Sequence, residues 1–216
     1  MQGGGRKSRA FRIKVWGDYA CFTRTEMKVE RVSYDVLSPS TARAILEAIL
    51  WKPAIRWHIT RIDVLKPIRW TSVRRNEVGA VMSTRARDLY IEDQRQQRAG
   101  LFLKDVAYVI HCFFEMTAKA GSEDNIKKFE ELFSRRLEKG QCFHRPYLGC
   151  REFAAHFEPL TDADEGPQAI DDTRALGFML YGIDHSGVEP MPMWFRAKLL
   201  NGRVTIPSAD DLEVRR

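Results

Sequence analysis

Two amphipathic segments, each set among runs that alternate apolar with polar residues, constrain this chain more than any other feature. The first, "STARAILEAILW", puts Ala42, Ile45, Leu46, Ile49 and Leu50 along one side of a helix. Ser38 or Ser40 is its expected cap, Pro39 lies close by, and Pro53 stops it. The second, "SEDNIKKFEELFSRRLEKG", starts on Glu123 and Asp124, ends on basic residues and is followed by Gly140. Its apolar stripe is Ile126, Phe129, Leu132 or Phe133, and Leu137.

Strand patterns surround both helices. In "FRIKVWGDYACF", Phe11, Ile13 and Val15 alternate with Arg12 and Lys14 until Gly17. "AIRWHITRIDVLKPIRWTSVRRNEVG" predicts two strands around Lys66 and Pro67, and "GLFLKDVAYVIHCFFEM" and "REFAAHFEPL" predict two more. The order strand, helix, strand, strand, helix, strand is the split β-α-β pattern, so the expected class is α+β with a ferredoxin-like domain over residues 11–160. Residues 79–99 are polar without clean periodicity and are expected to form a loop excursion. Beyond the acidic linker "TDADEGPQAIDD", short runs broken by glycine and proline predict a small antiparallel β-sheet domain over 161–216. Residues 1–10 are expected to be a flexible tail.

Several function classes are disfavoured. No run approaches the roughly 20 apolar residues of a membrane helix and no apolar signal core follows the start, which predicts a cytoplasmic protein that engages no membrane. The four cysteines form no C-x-x-C pair, and the five histidines show no H-x-x-x-H or H-E-x-x-H spacing. Neither a metal nor a cofactor is therefore expected. There is no P-loop, no G-x-G-x-x-G and no recognisable nucleophile motif, which argues against ATP-driven and triad chemistry.

Charge points the other way. The formal net charge is +6, but residues 1–110 carry 21 Lys/Arg against 11 Asp/Glu, while the rest of the chain carries 14 against 18. A surplus confined to one half favours a polyanionic partner, because each neutralised phosphate releases counterions. Arg74 and Arg75 lie close to Trp70, and Tyr19 and Phe22 close to Arg24, a mixture that suits backbone contact with base stacking. Trp70 and Phe22 serve equally well as core residues. RNA cleavage without a metal needs only a base for the 2′-hydroxyl, a cation for the phosphorane and an acid for the leaving oxygen.

The stretches "FRIKVWGDYACFTR", "MKVERVSYDV", "ILWKPAIRW", "VLKPIRWTSVRRNEV", "RQQRA" and "YLGCREF" resemble one family: the small RAMP-superfamily CRISPR-associated protein of subtype I-C. The resemblance runs from about Phe11 to "NGRVTIPS". It implies a modified RRM-like ferredoxin domain with a C-terminal β-sheet domain, in a prokaryotic cytoplasm. It further implies metal-independent cutting of precursor CRISPR RNA at the repeat stem-loop. The 5′ handle then stays bound among the other subunits of the subtype I-C interference complex.

By that resemblance, the nuclease site uses a tyrosine before Trp-Lys-Pro and a Lys-His pair in the second helix. These positions fall on Leu50, Lys128 and Phe129, and only Lys128 keeps its chemistry. Three readings stay open. Tyr34, His144 or Tyr147 substitutes for the missing groups; Lys128 electrostatics and positioning act alone; or the protein is a non-catalytic subunit that holds the handle. Arg24, Lys28, Arg31, Arg74, Arg75, Arg95 and Arg98 are the expected contacts to RNA phosphates, and so basic a face predicts nonspecific binding of double-stranded DNA.

Overall fold

The first strand, β1 (Phe11–Ala20), buries alternate residues from Phe11 to Val15, and those side chains define the inner face of the main sheet. The structure, a computed structural model, describes residues 7–27, 29–83, 88–161, 166–185, 187–211 and 214–215. Further elements follow in the order β2 (Arg31–Val32), α1 (Pro39–Ile49), β3 (Ile55–Val64), β4 (Trp70–Val78), β5 (Arg95–Met116), α2 (Ile126–Glu138) and β6 (His156–Leu160). Then come β7 (Arg174–Asp184), β8 (Met191–Leu199), β9 (Arg203–Thr205) and β10 (Val214–Arg215). The architecture is α+β and mostly antiparallel.

The main sheet runs β6-β1-β5-β3-β9, and these neighbours are antiparallel. Its inner face pairs Ile13 with Ile110 and Val15 with Tyr108 across β1 and β5, and Ile62 with Ile110 across β3 and β5. Both helices cover this face. Ala42, Ile45, Leu46 and Ile49 of α1 and Phe129, Phe133 and Leu137 of α2 share one cluster with the strand residues. At roughly 1.5–3 kcal/mol for each large apolar side chain buried, this layer dominates stability.

Helix ends follow local chemistry. Ser38 is the cap of α1, its hydroxyl accepting from the Thr41 amide at 3.3 Å, with Pro39 in the first turn where its missing N–H costs nothing. Asn125 caps α2 through a 2.9 Å bond from the Lys128 amide. Asp124, expected at the helix start, instead accepts from the Gly121 amide and closes the preceding turn.

Residues 95–99, expected inside the loop excursion, belong to β5. The ladder of β4 with β5 continues from Trp70–Leu103 out to Val78–Arg95, so the two strands form a long hairpin, and β2 lies parallel to β5 at Gly100 and Leu101. At the other end, the segment expected as tail is anchored from Lys7 on. Lys7 bridges to Glu115, and the Ser8 amide donates to the Phe114 carbonyl at 2.9 Å.

After β6, strands β10-β8-β7 form a second antiparallel sheet, while β9 returns to the main one. Leu176, Met179, Tyr181 and Phe195 of the second sheet join the same apolar cluster as α1. Among the described residues no helix is long and apolar enough to cross a membrane.

Candidate nucleic-acid interface

The hairpin sorts the expected phosphate contacts onto two faces. Because successive strand residues point to opposite sides, Arg75 and its cross-strand partner Arg98 share one face, whereas Arg74 and Arg95 stand exposed on the other. Arg31, paired in register with Gly100, joins the first face. Two carboxylates gather these three arginines. Arg75 donates to Glu152 at 2.7 Å and to Glu77 at 3.1 Å, Arg31 donates to Glu152 at 3.2 Å, and Arg98 lies 3.6 Å from Glu77. The guanidinium of Arg75 also lies 5.2 Å over the Phe102 ring.

Arg31 has a further neighbour, the Cys150 sulfur at 3.6 Å. The Cys21 thiol beside it and then the Arg31 guanidinium hold the Cys150 thiol below its ordinary range, against the opposing effect of burial. Gly149 makes this approach possible. Its φ of +87° suits glycine, and a Cβ there would lie 2.0 Å from the Cys21 carbonyl oxygen.

Arg24 is committed elsewhere. It donates to Asp35 at 3.0 Å and to the Ser33 carbonyl at 3.2 Å, and it lies 4.9 Å over the Tyr34 ring. Lys28 lies outside the described residues. Phe22 is buried in the core, Trp70 packs half-buried against it, and Tyr19 is exposed.

A second locality forms where α1 ends and α2 begins. Carbonyls at the end of α1 and in its cap find partners outside the helix. Ala48 accepts from the Phe143 amide, Ile49 from the Arg136 guanidinium and Leu50 from the Trp57 indole at 2.9 Å. Leu50 itself is fully buried, and Phe129 packs edge-to-face on Phe114.

Lys128 is accessible, its ammonium 3.1 Å from Asp124. The Gly121 amide, with Lys128 and then Lys52 contributing, holds Asp124 below the usual carboxylate range, so the turn after α1 and the start of α2 share one electrostatic neighbourhood. Beside it lies a depression of about 430 Å³ lined by Glu47, Trp51, Lys52, Pro53, Arg56 and Lys119, among others. Trp51 is 61% exposed.

The other expected catalytic groups do not meet Lys128. Tyr34 is buried beneath Arg24. His144 and Tyr147 come together with Arg145 and Arg151 around a separate depression of about 440 Å³, on the loop that Phe143 ties to α1. Among the remaining histidines, His111 lies 2.8 Å from Asp63 and 2.9 Å from Arg61, His58 stacks on Phe113, and His156 stacks on Trp16. Among the described residues no group of three or more His, Cys, Asp or Glu is placed to hold a metal ion.

Sequence reasoning missed Glu47, Lys52 and Lys119. The available signal was the charge of Glu47 and Lys52 flanking the exposed Trp51, but Lys119 comes from a distant segment.

The family described as CRISPR-associated protein (Cas_Cas5) matches residues 11–207. A CRISPR pre-crRNA endoribonuclease Cas5d of Mannheimia succiniciproducens is 52% identical, over 95% of this chain and 98% of its own length. Another of that name, from Thermus thermophilus, is 41% identical over 95% of this chain and 94% of its own. Among solved structures, a CRISPR-associated protein superposes with a TM-score of 0.75 at 20% identity, covering 99% of this chain and all of the other. A functionally uncharacterized protein from Streptococcus mutans gives 0.73, also at 20% identity, over 97% of this chain and 98% of its own.

Proposed function

The chain belongs to the Cas5d family of CRISPR-associated proteins, subtype I-C, and from that premise we propose that it is a metal-independent endoribonuclease of CRISPR RNA maturation. It cuts precursor CRISPR RNA at the repeat stem-loop and keeps the 5′ handle within the subtype I-C interference complex. The observation that carries this reading is the 52% identity, end to end, with a relative named for the activity.

The fold supports it. An antiparallel order β6-β1-β5-β3 with both helices on one face fits a ferredoxin-like, RRM-type domain over residues 11–160, with 161–216 as an added β-unit. On this reading Arg75 and Arg98, with Arg31 of β2, contact the RNA backbone from one face and Arg74 and Arg95 from the other, and Lys28 adds to the positive charge of the same N-terminal half. Lys128 stabilises the charge that develops on phosphorus. The same cations bind double-stranded DNA without sequence preference.

A second reading has its own support. Leu50 and Phe129, at the positions where the family's tyrosine and histidine are expected, are buried in the core, which favours a non-catalytic subunit that holds the handle. Incubation of the protein with its own repeat RNA in EDTA separates the two. Cleavage to a 2′,3′-cyclic phosphate or 3′-phosphate end is expected, whereas tight binding without cleavage overturns the enzyme reading.

A further inference from the structure

The depression at the end of α1 holds a carboxylate that neither the core nor the ion-pair network uses. Glu47 is half-buried, and among the described residues its carboxylate makes no hydrogen bond or ion pair, Arg43 acting on it only at longer range. A carboxylate held partly out of water in a depression, with no partner, is where a functional role is looked for first. Around it the depression collects cations from three segments: Lys52 in the turn after α1, Arg56 on β3 and Lys119 beyond β5. The segments are locked together, since the Thr117 hydroxyl donates to the Pro53 carbonyl at 2.6 Å and the Thr117 amide to the Ala54 carbonyl at 2.8 Å.

We propose that Glu47 is the general base of RNA cleavage, taking the proton of a ribose 2′-hydroxyl whose phosphate rests on Lys52 and Lys119. This deepens the endoribonuclease reading and rests on it. The volume, about 430 Å³, suits a nucleotide-sized group, and the exposed indole of Trp51 at its rim offers a stacking surface for a base. Lys128 lies beyond Lys52, the two sharing Asp124, so further positive charge borders the scissile phosphate.

The step balances. The Glu47 carboxylate accepts the 2′-hydroxyl proton, the 2′-oxygen bonds to phosphorus, and the bond from phosphorus to the 5′-oxygen breaks. A lysine ammonium, Lys52 or Lys119, protonates the departing oxygen. The products are a 2′,3′-cyclic phosphate and a 5′-hydroxyl. Glu47 then returns its proton to solvent and the lysine regains one.

Burial raises the Glu47 pKa above the usual carboxylate value, with Arg43 opposing, which makes it a stronger base than an exposed carboxylate. The charged groups near it are Arg43 on α1 and Lys52, Arg56 and Lys119 around the depression, and Arg43 and Arg56 act in turn on His58, which meets Glu115. Burial, as the largest influence, lowers the His58 pKa. The rate is expected to fall as pH drops through the raised Glu47 value.

Single-turnover cleavage of a 5′-labelled RNA of the protein's own repeat, in EDTA across a pH series, tests this. Glu47→Gln is expected to slow cleavage by about 100-fold or more and to remove the acidic limb, with RNA affinity and thermal midpoint retained. Glu47→Asp is expected to restore part of the rate. If Glu47→Gln cuts at the parental rate with the same acidic limb, the inference falls and the endoribonuclease reading stands. If the parental protein binds but does not cut, both fall together.

Discussion

Phe129 sits where its family is expected to place a histidine, and its surroundings explain why the substitution is not a simple loss of a catalyst. The ring is buried, packs on Phe114 and lies beneath the ammonium of Lys128, 5.7 Å from the ring centre. Phe129→His would bury an imidazole with no partner and is expected to cost about 3 kcal/mol, read from urea unfolding. Leu50→Tyr forces a larger side chain into a filled site, at about 1–3 kcal/mol. The double substitution is therefore expected to lose stability without gaining cleavage, and a gain would mean that the site opens in solution. Burial of Leu50 and Phe129 was readable from helical spacing, because each lies on its helix's apolar stripe. The isolation of Glu47 was not, since Lys119 and Thr117 meet α1 only through the folded sheet.

At the scale of elements, the hairpin of β4 and β5 carries its own restraint. Glu77 and Glu152 hold Arg31, Arg75 and Arg98 on one face and cancel part of their charge. Replacing both by glutamine is expected to tighten repeat-RNA binding at low salt about three- to fivefold, the equivalent of one or two exposed ion pairs, as measured by fluorescence anisotropy. No change in affinity would mean that this face does not meet RNA. Strand and helix positions were legible because alternation and helical periodicity are local signals. The outer part of the hairpin was not: residues such as Gln96 and Gln97 project to opposite faces and both meet solvent, which erases the alternation. The pairing of Glu152 with Arg75 joins residues 77 apart, beyond the reach of any pattern in a short window.

For the whole molecule, charge and topology set behaviour together. With the surplus of cations confined to the first 110 residues, binding of double-stranded DNA is expected to weaken on the order of 100-fold between about 50 and 200 mM salt if four phosphates are engaged. Filter binding across a salt series measures the slope, and a flat response would remove this surface from consideration. The 22-residue strand β5 brings a different consequence. The strands β1, β2, β3 and β4 find their sheet partners only in β5, β6 and β9. During synthesis, then, 74 residues separate the end of β1 at Ala20 from the first partner strand, which begins at Arg95. At about 5–20 residues per second, that leaves nascent β1 waiting roughly 4–15 s for a template. Cellular yield is thus tied to whatever shelters the emerging chain over that interval, independently of how stable the finished protein is.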